Sequence, residues 1–206
     1  MEARELAVEG ALEIVPPLFP DRRGAFCPLY EEGDFAELPG APRFRVVRGG
    51  LSVNHAGVVR GVHYSRGVSG TAKIVLCAAG AALDLVVDVR AGSPTFGRWE
   101  AVPLSAARPR AVYCPPGVGH AFVSLTEGTT VVYLMSTPYR PGDELAVSVL
   151  DPVLGLPVPR RPEPVMSEQD RAAPPLDEAL ERGLLPRYRP CTGNPSPGVR
   201  EKEEST

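Results

Sequence analysis

Between about Phe44 and Leu150 the chain is a series of short β-type runs: "FRVV", "LSVN", "GVVRGVHY", "AKIVLCAAG", "ALDLVVDVR", "RAVYCPPG", "AFVSL" and "TTVVYLMS". Clusters of Gly, Pro and charged residues part them at intervals of roughly ten residues, which is the spacing of an antiparallel sandwich or barrel. A helix bundle is excluded by the same pattern, and 24 Pro and 21 Gly in 206 residues reinforce the point. Where alternation is visible it has two faces. In "ALDLVVDVR" Leu83, Leu85, Val87 and Val89 point one way, and Asp84, Val86, Asp88 and Arg90 the other. Carboxylates on that second face imply solvent or a polar cavity. "AGSPTFGRWE" reads as a loop entering a strand, with Trp99 as a packing anchor.

After Asp151 the pattern changes. Pro-rich connections lead to "PPLDEALERGLLP", where Leu176, Ala179 and Leu180 recur at helical spacing until Gly183 and Pro186 end the run, predicting a short helix. The last stretch, "PCTGNPSPGVREKEEST", has little to bury and predicts a disordered tail. We therefore read one all-β domain over residues 1–190 and a tail over 191–206.

Several function classes drop out. A net charge of -3 with no basic run longer than "RR" offers no footprint for nucleic acid or an anionic membrane surface. The acidic start "MEARELAVEG" lacks the pattern of a signal peptide, and no long apolar stretch follows, so a cytoplasmic protein is expected. Cys27, Cys77, Cys114 and Cys191 form no CxxC pair and read as structural thiols. GxGxxG, GxxxxGK[ST] and GxSxG are all absent.

Three histidines exist, His55, His63 and His120, with no HxH or HxxxH pair, so their spacing does not ask for a metal. Arg60, Lys73, Asp84, His120 and Tyr133 are polar groups embedded in β-type runs. Taken singly each reads as structural, snorkelling at an edge. Set beside His63 in one cavity, they supply a base, a cation and a phenol. That set suits removal of a proton next to a carbonyl, stabilisation of the enolate oxygen and return of a proton from another direction. Such chemistry needs neither metal nor other cofactor.

The segments "DRRGAF", "VVRGVHY", "DVRAGSPTFGRW", "PPGVGHAFVSL", "VVYLMSTPYRPGDE", "LDPVLGLPVP" and "SEQDRAAPPL" stand in the order and spacing of a known family. The chain resembles dTDP-4-dehydrorhamnose 3,5-epimerase and its relatives in deoxysugar biosynthesis. The resemblance implies a cupin-type jelly-roll barrel without metal, closed by a short C-terminal helical segment. It places the catalytic base on His63, oriented by Asp170, the general acid on Tyr133 and the enolate-stabilising cation on Lys73. It assigns substrate contacts to Arg23, Phe26, Arg60, His120, Tyr139 and Glu144. Arg23 and Phe26 lie on an N-terminal arm that in this family packs into a second subunit, implying a homodimer. Asp170 enters only through the resemblance, since no spacing points to it.

The implied substrate is a dTDP-4-keto-6-deoxysugar. Departures from the family pattern at Pro28, Arg48, Gly50, Ser65 and Leu134 leave the proton-transfer groups in place and alter the surroundings, which implies an unusual sugar rather than the plain rhamnose precursor. A ketoisomerase on the same barrel, a non-catalytic sugar-nucleotide-binding module and a metal-dependent cupin oxygenase remain the alternatives. One geometric conflict stands out. Strict alternation sends Arg60 and His63 to opposite faces of their strand, so a bulge at Gly61 is needed to turn both inward.

Overall fold

The computed structural model describes residues 1–38, 40–67 and 70–190; the expected tail and Cys191 lie outside them. The chain opens with β1 (Glu2–Glu5), β2 (Leu12–Val15), a hairpin of β3 (Phe19–Asp21) and β4 (Gly24–Phe26), and helix α1 (Glu32–Ala36). The barrel strands follow: β5 (Arg48–Asn54), β6 (Val59–Ser65), β7 (Lys73–Ala79), β8 (Ala81–Val87) and β9 (Trp99–Ser105). Next come β10 (Ala111–Cys114), β11 (Gly119–Ser124), β12 (Thr129–Met135) and β13 (Glu144–Ala146), then helices α2 (Glu168–Arg171) and α3 (Leu176–Glu181).

The strands form a sheet in the order β1-β2-β10-β7-β12-β5 and a second in the order β13-β6-β11-β8-β9, with every pairing antiparallel. The central strands of both sheets are covered on both faces, which is why so many of them read as unbroken apolar runs, while the outer face of β5 leaves Leu51 and Val53 exposed. The outer face of the first sheet carries Ile74, Leu76, Ala111 and Tyr113 against Phe35 of α1 and Phe44. The outer face of the second carries Val59, Val62, Leu85, Val87, Ala121 and Val123 against Val147, Leu154, Leu176 and Ala179 of the C-terminal segment. Trp99 anchors that segment by donating its indole N–H to the Leu154 carbonyl at 2.8 Å.

Between the sheets lie Val75, Cys77, Val86, Val112, Phe122 and Val131. The two-residue period of each strand therefore also assigns its polar residues. Lys73 shares the inner face with Val75 and Cys77, Asp84 with Val86, His120 with Phe122, and Tyr133 with Val131. Among the described residues no helix is long and apolar enough to cross a membrane.

Candidate active site

The site forms around an irregularity in β6. On β11, His120 pairs with His63 and Phe122 with Arg60, so between these pairs Ala121 alone opposes both Gly61 and Val62. The extra residue is accommodated at Gly61, whose φ is 115°. A Cβ there would meet the His120 carbonyl oxygen at 2.5 Å and Ala121 at 2.7 Å, so only glycine fits. Val59 and Val62 consequently both face outward, three residues apart, while Arg60 and His63 both line the interior.

Their cavity measures about 440 Å³ and is walled by Arg48, Gly50, Ser52, Arg60, His63, Lys73, His120, Tyr133, Tyr139 and Glu144. His63 Nε2 lies 2.6 Å from Asp170 Oδ1. Asp170 reaches it from α2, where the Ser167 hydroxyl caps the helix by accepting from the Asp170 backbone N–H at 3.0 Å. Burial alone would raise the Asp170 pKa. Hydrogen bonds from His63, the Ser167 hydroxyl and the Gly61 backbone N–H outweigh it and hold the carboxyl below the usual carboxylate range. An ionised partner at Nε2 fixes the proton there and leaves Nδ1 as the basic nitrogen.

Lys73 is buried, and among the described residues no carboxylate comes within ion-pairing distance of its ammonium. Burial lowers its pKa, against which Glu144, Cys114 and Asp84 push upward. The Tyr133 phenol is pushed up to about 12, again chiefly by burial, and its oxygen stands 3.4 Å from Ser52 Oγ. It thus stays protonated and able to donate at any working pH. Arg60 is aimed by its Nε donating to the buried Asn54 Oδ1 at 2.8 Å. At the mouth, Arg48 donates to Glu144 at 3.2 Å and lies over the Tyr139 ring, 5.2 Å from its centroid.

Not every residue singled out from the sequence reaches this cavity. Arg23 and Phe26 sit on the exposed β3–β4 hairpin, where Arg23 pairs with Asp21 at 2.5 Å, and neither lines the pocket of its own chain. Among the departures, Arg48 and Gly50 wall the cavity, whereas Leu134 faces the Phe35 cluster on the outer side and Ser65 lines a neighbouring hollow. Ser52 and Asn54, which the sequence does not single out, also gather here, and Asp84, one of the embedded polar groups but without an assigned part, places its Oδ2 2.7 Å from His120 Nε2. Asp84 is visible in the sequence as a carboxylate inside a buried run, but its partner lies 36 positions away. Among the described residues no group of three or more His, Cys, Asp or Glu is placed to hold a metal ion.

A β-barrel that surrounds one pocket with a carboxylate-backed imidazole, an ammonium and a phenol belongs to the barrel enzymes arranged for proton transfer at carbon. The sequence model of the dTDP-4-dehydrorhamnose 3,5-epimerase family matches residues 5–178, and the chain belongs to that family of isomerases. A dTDP-4-dehydrorhamnose 3,5-epimerase of Mycolicibacterium smegmatis is 43% identical over 191 residues, covering 93% of this chain and 94% of the relative. Among solved structures, a 3'-monoepimerase from Streptomyces bikiniensis, in complex with dTDP-quinovose, superposes with a TM-score of 0.85 at 44% identity. The match covers 91% of this chain and 93% of that one. A 4-keto-6-deoxy sugar epimerase from the novobiocin biosynthetic gene cluster of Streptomyces spheroides gives 0.87 at 42% identity, covering 91% and 94%. The fold is the cupin-type jelly roll these enzymes share.

Proposed function

We propose that this protein epimerises a dTDP-linked 4-keto-6-deoxyhexose at C3, C5 or both, as a step toward an unusual deoxysugar. The C4 ketone acidifies the hydrogens on both neighbouring carbons. His63 Nδ1 takes one of them, and Asp170 stabilises the imidazolium that results. The C–H electron pair moves into an enolate whose oxygen is held by the Lys73 ammonium. Tyr133 then delivers its phenolic proton to the opposite face of the carbon and is reprotonated from solvent. The observation that carries this reading is the 2.6 Å His63–Asp170 pair, sharing one cavity with a buried lysine and a buried tyrosine.

Relatives that act at one centre and at two stand at nearly equal identity, so likeness alone does not set the number of centres. Incubation of dTDP-4-keto-6-deoxyglucose with the protein in deuterium oxide, read by NMR, gives that number as the positions that gain deuterium. No exchange at either carbon sinks the reading. The unusual sugar is supported by Gly50, which leaves the wall beside Tyr133 without a side chain, and by Arg48 at the mouth. Faster turnover of the plain 4-keto-6-deoxyglucose than of any deoxygenated analogue counts against it. The exposed β3–β4 hairpin, with Arg23 and Phe26, is read as an arm completing a second copy's site. A monomeric mass in solution overturns that part.

A further inference from the structure

The mechanism above uses one of the two imidazole–carboxylate pairs in the barrel. The second is deeper. His120 and Asp84 project inward from the adjacent strands β11 and β8, where Phe122 pairs with Asp84 and His120 with Val86. His120 Nε2 and Asp84 Oδ2 are 2.7 Å apart, with side chains 5% and 0% exposed. The other carboxylate oxygen, Oδ1, is buried without a hydrogen-bond partner. A buried carboxylate that leaves half of its acceptor capacity unused carries a desolvation penalty that packing does not explain. The His120 ring also stands edge-on to Tyr133, with centroids 6.2 Å apart. The charge of Asp84 bears at once on Lys73, Tyr133 and Cys114. No other carboxylate among the described residues acts on all three.

We propose that Asp84 is a positioning residue of the epimerase reaction: it fixes His120 in the Nε2–H tautomer, so that Nδ1 presents a lone pair to the substrate beside Lys73 and Tyr133. This rests on the epimerase reading of the same cavity. The Nε2–H bond to a carboxylate sets which ring nitrogen carries the proton. His120 Nδ1 has no protein partner among the described residues and is not among the sealed, unpartnered atoms, so it opens to the cavity that His120 lines. A lone pair there accepts from a sugar hydroxyl and cannot compete with Lys73 for the enolate oxygen. Asp84 touches no substrate in this arrangement. It acts through the ring it orients and through its charge, which faces Lys73 together with Glu144, Cys114 and Arg48, in a cavity that also holds Arg60, His63 and Tyr133.

The test is Asp84→Asn in the full chain, which keeps the shape and one acceptor but removes the charge. Deuterium exchange into dTDP-4-keto-6-deoxyglucose is expected to slow by about tenfold in kcat, as for other carboxylates that orient a functional histidine. The Kd for dTDP should stay within about twofold, because a residue acting through the ring and not on the nucleotide splits kcat from binding. A merely structural residue would instead lower dTDP affinity and thermal midpoint together while the rate per folded molecule held. Nitrogen-15 histidine NMR of the wild-type protein supplies a check that needs no variant. His120 is expected as the Nε2–H tautomer, and an Nδ1–H tautomer overturns the proposal. An Asp84→Asn protein that exchanges deuterium at the wild-type rate overturns this inference alone. A wild-type protein that exchanges none overturns the epimerase reading and this inference with it.

Discussion

The barrel holds two histidine–aspartate pairs of almost the same length, 2.6 Å for His63–Asp170 and 2.7 Å for His120–Asp84, in opposite relations to water. The His63 side chain is 34% exposed and its partner is held by an outer helix, whereas His120 and Asp84 are buried between the sheets, 5% and 0% exposed, with only the His120 ring reaching the cavity. Asp170 also receives the Ser167 hydroxyl and the Gly61 N–H, while one oxygen of Asp84 receives nothing. A base must pass its proton on in every turnover, and a half-open imidazole with a well-satisfied carboxylate behind it can do so. A buried imidazole that shows the cavity one nitrogen, with a half-satisfied carboxylate behind the other, is suited to hold a direction. Equal bond lengths therefore do not imply equal roles, and the surroundings divide the work.

The largest effect that tests this division is His63→Asn. Deuterium exchange into the dTDP-4-keto sugar should fall by at least about a hundredfold, the scale of a lost general base. His120→Asn should cost roughly tenfold, the scale of one lost hydrogen bond to the substrate. Equal losses from the two substitutions, measured as kcat under saturating substrate, break the comparison.

A smaller but structural effect comes from Gly61, which lies between the two pairs. Its backbone N–H donates to Asp170 on one side, and a Cβ would strike the His120 carbonyl on the other. Gly61→Ala puts a side chain on a residue with φ of 115° and presses it into backbone that cannot swing away. We expect at least about 2 kcal/mol of lost stability, read from the denaturant midpoint, with both pairs perturbed together. A stable alanine variant with full activity shows that the bulge is not what brings Arg60 and His63 to one side.

How far all this is legible in the sequence differs between the fold and the site. The run of strands from β5 to β12 is plain from turn spacing and alternation, and α3 from the recurrence of Leu176, Ala179 and Leu180. β1 and β2 are not. "EARE" has no apolar face, and β2 becomes a strand because it pairs with β10, nearly a hundred residues on. α2 is one turn long, too short for periodicity, although "SEQD" carries its cap. Lys73, His120 and Tyr133 share a cavity by simple alternation once the two sheets bring their strands together, and the same alternation turns Asp84 inward behind His120. The conflict between Arg60 and His63 is legible as a demand for a bulge at Gly61. Pairing is what escapes: Asp170 lies 107 positions from His63, and nothing local in either stretch encodes the meeting.

The finest test concerns Lys73, which lines the same cavity as the two histidines. Burial lowers its pKa, so as pH rises the ammonium is lost below the ordinary lysine range, near 10.4, and with it the charge proposed to hold the enolate oxygen. Tyr133, pushed up to about 12, still carries its proton there, so the alkaline limb of kcat/KM belongs to Lys73. Stability runs the other way. Between the lowered folded value and the ordinary unfolded one, the unfolded chain binds the extra proton, so the Lys73 contribution to stability increases with pH across that window. Falling activity beside an undiminished thermal midpoint therefore separates titration of Lys73 from unfolding. Of the two carboxylates that face it, Glu144 supports the ammonium more than Asp84 does. Glu144→Gln should accordingly move the limb further toward acid than Asp84→Asn does. The reverse order makes the inner pair, rather than the mouth of the cavity, the principal keeper of the lysine charge.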